Sequence, residues 1–294
     1  MFNDLNLQTA FERDGFVVLD NFFSAEDIAK LRNILDGFEQ HTEAQLEGKS
    51  GTINSLEKGL FFTRHFQDLD LEESMRLQLS VACNTALSKF LRIAYKNVAA
   101  LGIYKRANSP ASTVDLHVHH SNLAPDSPLP GLSLFAPLDD IDDALGPLAM
   151  IKGSSELWKD DLSYTLTYMK EAYPQLCPLM QSYLTHVYPS AGQAILFHQF
   201  TIHQGLPNTH QTSGRLAITA EFIPEKLDCV LYLPKFDERG GLASLQGRRV
   251  RKLPFEFSRR HRWVPEHLGK EVQTIDPYRV RKISEDEFKQ FCRS

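Results

Sequence analysis

The chain has 294 residues, of which 42% are hydrophobic and 23% are charged, as is typical of a globular protein with a sizeable core. The formal net charge is −5, and no apolar run approaches the roughly 20 residues that span a bilayer. The opening "MFNDLNLQTAFERDGF" has neither the basic nor the apolar region of a signal peptide. Four widely spaced cysteines without CxxC spacing predict reduced thiols in a cytoplasmic protein.

Residues 1–96 are predicted to form a helical cover. "GFVVLDNFF" (15–23) is a short β-rich run, and the spacing of Ser24 and Asp27 behind it is typical of a capped helix start. After a polar, loop-like stretch, the apolar periodicity predicts a second long helix from about residue 72 to residue 95.

The pattern of apolar and turn-forming residues changes in residues 97–225. Short apolar runs such as "LSLFAPLDD" and "RLAITAEFI" alternate with Pro, Gly, Asp and Asn, which predicts an antiparallel β-sandwich or barrel. "LAPDSPLPG" (123–131) is predicted to be a lid loop. Helical stretches between residues 156 and 181 are expected to break at Pro174 and Pro178. The whole chain, 1–294, is interpreted as one mainly β domain with flanking helices.

The segment from Lys226 to the C-terminus (226–294) is predicted to be a basic extension. It carries 16 Lys and Arg against 10 Asp and Glu, a net charge of +6, whereas the preceding chain has 16 basic against 27 acidic residues, a net charge of −11. The densest basic stretch, "GRRVRKLPFEFSRRHR" (247–262), is interpreted as a solvated surface. The functional alternative is attraction of an anionic substrate or carrier to a cleft. No motif predicts a nucleic-acid partner.

A pair of histidines in "DLHVHHSN" indicates a metal site. Because strand side chains alternate, His117 and His119 project to the same face. If His120 faced inward instead, His117 would turn outward with it and the pair would be lost. Asp115 shares the predicted inward face, so it or Asp126 on the lid loop could supply a carboxylate in an unconventional order.

A third histidine and an arginine follow in the β region. "FHQFTIHQGLPN" contains His198 and His203, and Arg215 lies twelve residues after His203. Two metal ligands close together on one strand, a distant histidine and an arginine on the next strand are the arrangement of non-haem iron oxygenases built on a double-stranded β-helix. There, three protein ligands occupy one face of the metal, and the arginine holds the far carboxylate of a keto-acid cosubstrate.

Three longer segments carry a family resemblance. The segment "FERDGFVVLDNFFSAEDIAKLR" resembles the N-terminal opening of the phytanoyl-CoA dioxygenase family. The segment "LFAPLDDIDDALGPLAMIKGSSE" resembles the family's "LxDxxxxNGxLxVxPGSH" segment. The segment "ILFHQFTIHQGLPNTHQTSGR" resembles its "FHxxxxHxSxPNxxxxxR" segment. The likeness covers roughly residues 9–224, and the last segment is the most specific. The resemblance implies a jelly-roll, cupin-like core, with Fe(II) and 2-oxoglutarate as cofactors.

The resemblance also implies roles for individual residues. His117 matches the first metal ligand, His203 the distal ligand, and Arg215 the clamp on the 2-oxoglutarate carboxylate. Lys105 matches a position where relatives often have a basic residue near the cosubstrate. His198 matches a common histidine that does not bind the metal and is interpreted as a core residue.

His119 is the main departure from the family, which has an aspartate there. Two histidines and a carboxylate leave an iron(II) shell with one positive charge, whereas three neutral imidazoles leave it with two. Iron should still bind, because imidazole suits iron, zinc, copper and nickel. A smaller departure is Gly205, where relatives have a small hydroxyl residue.

Three functions are therefore open. The first, favoured by Arg215, is a 2-oxoglutarate-dependent oxygenase that hydroxylates or otherwise oxidises a small organic molecule at a three-histidine iron site. The second is a three-histidine metalloenzyme that does not use 2-oxoglutarate, either an oxygenase whose substrate supplies the anionic ligand or a zinc hydrolase. The third is a non-catalytic relative that binds a ligand or partner.

Substrate-side residues are also candidates. Arg64 and His65 in "FFTRHFQD" either fold over the metal or are only polar residues on the surface between buried aromatic residues. Trp158 either lines the pocket or packs against the helices. The predicted partner is a small molecule, with an anionic or carrier-bound substrate as one option. No GxSxG, GxGxxG, phosphate-loop or HExxH pattern favours another enzyme class.

Overall fold

The computed structural model describes residues 1–37, 57–63, 68–119, 123–124, 127–158, 167–236, 242–250, 270–276 and 281–293. Within these ranges the helices are α1 (Leu5–Asp14), α2 (Ala25–Ile34), α3 (Leu69–Leu87), α4 (Met169–Ala172), α5 (Cys177–Ser182), α6 (Glu285–Phe291) and a 3-10 helix (Ser154–Trp158). None of these helices combines the length and apolarity that crossing a membrane requires.

The strands form three antiparallel sheets. The strands are β1 (Phe16–Leu19), β2 (Leu60–Phe62), β3 (Tyr95–Lys105), β4 (Val114–Val118), β5 (Leu132–Pro137), β6 (Leu148–Met150), β7 (Thr167–Tyr168), β8 (Thr185–Val187), β9 (Ala194–His198), β10 (His203–Gly205), β11 (Arg215–Pro224), β12 (Cys229–Phe236), β13 (Leu242–Val250) and β14 (Glu271–Ile275). A large sheet has the order β1-β9-β5-β11-β3-β2, a small sheet the order β7-β4-β10-β6-β8, and a third sheet the order β12-β13-β14.

The large and small sheets pack face to face. One apolar cluster joins them, with Phe135 and Phe197 from the large sheet against Leu148 and Met150 from the small sheet. The outer face of the large sheet packs under α1, α2 and α3. The outer face of the small sheet packs under the 3-10 helix, α4, α5 and α6. The result is the predicted β-sandwich with flanking helices, and its interior lies between the two sheets.

The N-terminal part contributes strands as well as a helical cover. Its strand β1 pairs with β9 and its strand β2 pairs with β3, so it supplies both edge strands of the large sheet. The predicted start of α2 is confirmed, because Ser24 and Asp27 form a reciprocal capping box. Each side chain accepts a hydrogen bond from the backbone N–H of the other residue.

Two predictions about helices are wrong. The second long helix, α3, runs over Leu69–Leu87 rather than 72–95, because Tyr95 instead opens β3 and pairs with Pro224 of β11. This long-range strand pairing overrides the local periodicity. Pro178 does not break a helix but lies in the first turn of α5, where its missing N–H costs no helical hydrogen bond.

The C-terminal segment is partly integrated into the fold. Cys229, Val230 and Tyr232 of β12 are buried, and α6 places Phe288 in the cluster on the outer face of the small sheet. Within the basic stretch, residues 247–250 end β13, and residues 251–262 lie outside the described residues.

Candidate metal centre

The three predicted ligand histidines lie on two neighbouring strands of the small sheet or directly after one of them. His117 of β4 is the register partner of His203 of β10, and His119 follows the end of β4. Leu116 and Val118 face the helices on the outer side. The two-residue alternation therefore turns His117 and His119 inward, toward the large sheet.

The structure brings these three imidazoles together. The ring centroids of His117 and His203 are 4.2 Å apart, those of His119 and His203 are 4.7 Å apart, and those of His117 and His119 are 5.3 Å apart. One ring nitrogen of each histidine lies within 4.8 Å of the others, a group that could hold a metal ion. The alternative carboxylate Asp115 is exposed and outside this group, and Asp126 lies outside the described residues.

His117 and His203 are held in the same way. The Nδ1 atom of His117 is 2.7 Å from the carbonyl oxygen of Asp115, and the Nδ1 atom of His203 is 2.9 Å from that of Thr201. A carbonyl oxygen can only accept, so each Nδ1 donates a proton, which leaves Nε2 as the metal-binding nitrogen. This outer hydrogen bond is typical of histidines that bind metals.

His119 is held by side chains instead. Its Nδ1 atom is 2.7 Å from the Ser133 hydroxyl and 3.8 Å from a carboxylate oxygen of Glu221. Its ring also lies 5.6 Å from the ring of Phe197, measured between centroids. Ser133 of β5 pairs in register with both Glu221 of β11 and Phe197 of β9. Ser133, Glu221 and Phe197 therefore form one row across the large sheet, and this row supports His119.

The donor set fits a divalent metal. Burial, and the neighbouring His117, lower the pKa of His203 well below its usual value, so this imidazole is neutral near neutral pH and can donate its lone pair. His117 and His203 are only 7% and 4% exposed. Three neutral imidazoles suit iron, zinc, copper or nickel.

Arg215 and Lys105 form a second polar site in the same interior. They are register partners on β11 and β3 and are 2% and 1% exposed. Arg215 donates from one guanidinium nitrogen to the carbonyl of Gly146 at 2.6 Å, and its guanidinium carbon lies 5.1 Å from the centroid of the Phe135 ring. The Lys105 ammonium donates to the carbonyls of Gly205 and Leu206.

This second site has the chemistry of an anion pocket. Burial lowers the pKa of Arg215 to about 10, and burial together with Arg215 lowers the pKa of Lys105 well below its usual value. Among the described residues, neither side chain forms an ion pair, and the Nε atom of Arg215 has no hydrogen-bond partner. Two adjacent buried basic groups with an unsatisfied donor fit a carboxylate ligand.

The alternation of β11 places Arg215 on the same face as the metal centre. Arg215, Ala217, Thr219 and Glu221 follow one another at every second position, and Ala217 belongs to the cluster between the sheets. Asn208 fixes the loop that leads into this strand, because its buried amide donates to the carbonyls of Lys105 and Ser213.

The remaining predicted site residues lie elsewhere. Trp158 is 1% exposed and packs with Leu116 and Val118 on the outer side of β4, so the structure does not bring it to the histidines. His198 is outside the histidine group, and its Nδ1 accepts from the N–H of Phe200 at 3.0 Å. Arg64 and His65 lie outside the described residues.

Sequence reasoning missed the residues around His119. Ser133 lies in no motif, and Phe197, although it is the first residue of the matched "FHxxxxH" segment, was given no role. Glu221 had one signal, since it lies six residues after Arg215 and therefore on the same face of a predicted strand. Tyr168, whose ring centroid lies 5.7 Å from that of His117, was also not predicted.

Comparison with known families decides the relationship. The sequence profile described as Phytanoyl-CoA dioxygenase (PhyH) matches residues 11–216. The chain belongs to the phytanoyl-CoA dioxygenase family. This confirms the resemblance found in the sequence, and the family depends on Fe(II) and 2-oxoglutarate. No curated protein matches this family member significantly in sequence.

Solved structures confirm the fold of this phytanoyl-CoA dioxygenase family member. HygX from Streptomyces hygroscopicus, crystallised with nickel and 2-oxoglutarate, has a TM-score of 0.51 and 14% identity, over 76% of this chain and 88% of its own. SnoK, a non-haem α-ketoglutarate-dependent carbocyclase from nogalamycin biosynthesis, has a TM-score of 0.52 and 15% identity, over 77% and 86%. AviO1 from Streptomyces viridochromogenes has a TM-score of 0.52 and 16% identity, over 77% and 97%. The predicted jelly-roll, cupin-like fold is therefore confirmed.

Proposed function

We propose that the chain is an iron(II)- and 2-oxoglutarate-dependent oxygenase that hydroxylates a small organic molecule at a three-histidine metal site. The observation that carries this proposal is the pairing of two sites in one interior. Three histidines converge on one point, and Arg215 and Lys105 form a buried anion pocket on the facing sheet. A metal site and a carboxylate site in one cavity are what a keto-acid cosubstrate requires.

In this proposal, the histidines and the anion pocket bind opposite ends of the cosubstrate. His117, His119 and His203 would hold iron(II), which supplies activation of dioxygen when it is bound. Arg215 would pair with the far carboxylate of 2-oxoglutarate through two parallel N–H donors, and Lys105 would add a third donor. This arrangement orients the keto acid toward the histidines and neutralises its distal charge.

The apolar walls have a separate task. Phe135 lies against the Arg215 guanidinium, and Phe197 lies 4.8 Å from His203 between ring centroids. Both belong to the cluster between the sheets. They would exclude water from the cosubstrate, which strengthens the charge pairing at Arg215.

The substrate class is inferred from chemistry and from the structural relatives. HygX was crystallised with hygromycin B, and SnoN with a nogalamycin compound. We infer a small-molecule substrate here as well, with an anionic or carrier-bound form as one option. Free thiols at all four cysteines support the proposed cytoplasmic location.

The test is anaerobic loading of the purified chain with iron(II), followed by 2-oxoglutarate binding and, in air, succinate formation. We expect one iron per chain and 2-oxoglutarate binding that depends on iron, with slow succinate formation even before a substrate is known. Iron binding without 2-oxoglutarate binding would contradict the proposal. Ligand binding by a chain that takes up no metal would instead favour the non-catalytic relative.

One observation favours a second candidate, a zinc hydrolase or an oxygenase independent of 2-oxoglutarate. Three histidines without a carboxylate are a ligand set that catalytic zinc also uses. Zinc content above iron content after expression in medium containing both metals, together with ester hydrolysis and no succinate, would support this candidate.

A further inference from the structure

The surroundings of His119 differ from those of the other two histidines. His117 and His203 each donate to a backbone carbonyl two residues earlier. The Nδ1 atom of His119 faces the Ser133 hydroxyl at 2.7 Å and the Glu221 carboxylate at 3.8 Å. The residue that departs from the family pattern therefore has a carboxylate of the described chain behind its ring.

We propose that Glu221 is a positioning residue that acts on the metal through His119. In this inference, which rests on the proposed function, Glu221 and Ser133 orient the ring, and Glu221 supplies a negative charge from its outer side. Relatives place that charge directly on the metal as an aspartate ligand. This chain would place the negative charge behind His119, one side chain further from the metal.

The position of Glu221 supports an outer role rather than direct ligation. Glu221 is not part of the group of side chains that could hold one ion together, and its nearest carboxylate oxygen is on the Nδ1 side of the His119 ring. At 3.8 Å the contact is too long for a direct hydrogen bond but close enough for charge attraction. Ser133, which is fully buried, can accept from Nδ1–H and donate its own proton onward.

The charge of Glu221 is separate from the two buried basic groups. Arg215 lies six residues away on the same face of β11, so the Cα atoms of Arg215 and Glu221 are about 20 Å apart at ~3.3 Å per residue. Lys105 is the register partner of Arg215, and its side chain extends from that end of the strand to the carbonyl of Gly205. Glu221 itself lies beside His119, at the end of β11 that faces the histidines.

The expected chemical effect is a stronger imidazole donor. A carboxylate on the outer side of a metal-binding histidine fixes the tautomer and raises the basicity of the ligating nitrogen. The side chain of Glu221 is 22% exposed, so water screens part of this effect. With His119 in place of the aspartate, the site would then lose less negative charge than a count of direct ligands alone indicates.

The first test compares iron(II) affinities, measured by competition with a chromogenic chelator under anaerobic conditions. Loss of an outer partner typically weakens metal binding 10- to 100-fold, and we expect about 10-fold for Glu221→Gln because of its partial exposure. Ser133→Ala should weaken binding in the same direction. Glu225→Gln, at an exposed position just after β11, is the matched control and should leave the affinity unchanged.

The second test separates the charge role from a structural one by repeating Glu221→Gln in a His119→Asp background. There the ligand is itself anionic, so removing the nearby like charge should leave iron affinity unchanged or increase it. A structural role predicts the same loss in both backgrounds, and that result would overturn the inference. The visible spectrum of the cobalt(II)-loaded protein should also change with Glu221→Gln in the parent chain and not with Glu225→Gln.

The two levels of proposal fail in different ways. A parent chain that binds iron(II) and 2-oxoglutarate, with Glu221→Gln showing the same iron affinity, would overturn this inference alone. A parent chain that binds no metal would overturn the proposed function and this inference together.

Discussion

The two groups of polar residues between the sheets, the three histidines and the Arg215–Lys105 pair, relate differently to the family pattern. At the anion end, Arg215 matches the arginine that closes the family segment, and its register partner Lys105 adds a second buried basic group. At the metal end, His119 replaces an aspartate, and Glu221 lies behind its ring. In the proposed function, the cosubstrate would therefore be bound as the family pattern implies, whereas the metal would have a ligand set of different charge.

The largest effect is expected from a substitution that disrupts the metal end alone. His203→Ala removes one of three ligands and should weaken iron(II) binding by more than about 100-fold, beyond the range known for outer partners. Succinate formation should be lost with it. The measurement is iron content after gel filtration together with succinate yield. His186→Ala, at an exposed histidine of β8, is the control, and equal iron content in both variants would contradict the assignment of His203.

The next largest effect is expected from a substitution that disrupts the anion end alone. Arg215→Met keeps an unbranched apolar stem but removes the donors, so the affinity for 2-oxoglutarate should fall about 10- to 150-fold, the equivalent of ~1.5–3 kcal/mol for hydrogen bonds to a charged group. Iron(II) affinity should not change, because Arg215 is outside the histidine group. Arg249→Met, at an exposed ion pair with Asp228, serves as the control. A parallel loss of iron would show that the two ends are not independent.

A smaller effect sharpens the role of Lys105. The pKa of this buried amine is well below its usual value, so the ammonium form, which binds an anion, is lost as the pH rises through that lowered pKa. We therefore expect 2-oxoglutarate affinity to fall about fivefold with rising pH, the equivalent of ~1 kcal/mol for one charge-assisted hydrogen bond. Isothermal titration across the pH range measures this dependence. In Lys105→Met the affinity for 2-oxoglutarate should be weak and should no longer fall with rising pH. If the affinity of this variant still falls with pH as in the parent chain, the pH dependence belongs to another group.

The same comparison shows how far sequence reasoning reaches. His117 and His119 could be paired from the two-residue period of a strand, and His203 and Arg215 from their resemblance to one family segment. Ser133 and Glu221 could not be linked to His119, because their proximity depends on the pairing of β5 with β11 between residues 88 positions apart along the chain, 133 and 221. The end of α3 at Leu87 was missed for the same reason, since strand pairing by Tyr95 is a long-range effect.

The smallest expected effect concerns Gly205, where relatives have a small hydroxyl residue. A Cβ atom at this position would lie 3.3 Å from Cβ of Val114, which is a tight contact, and 3.5 Å from the Lys105 ammonium, which is an ordinary one. Gly205→Ala should therefore destabilise the fold by about 1 kcal/mol through its packing against Val114 and leave 2-oxoglutarate binding unchanged, because the ammonium keeps its place. The free energy of unfolding and the binding constant are the two measurements. A loss of 2-oxoglutarate binding in Gly205→Ala that disappears in a Lys105→Met background would contradict this expectation, because it would show that the added methyl group displaces the Lys105 ammonium.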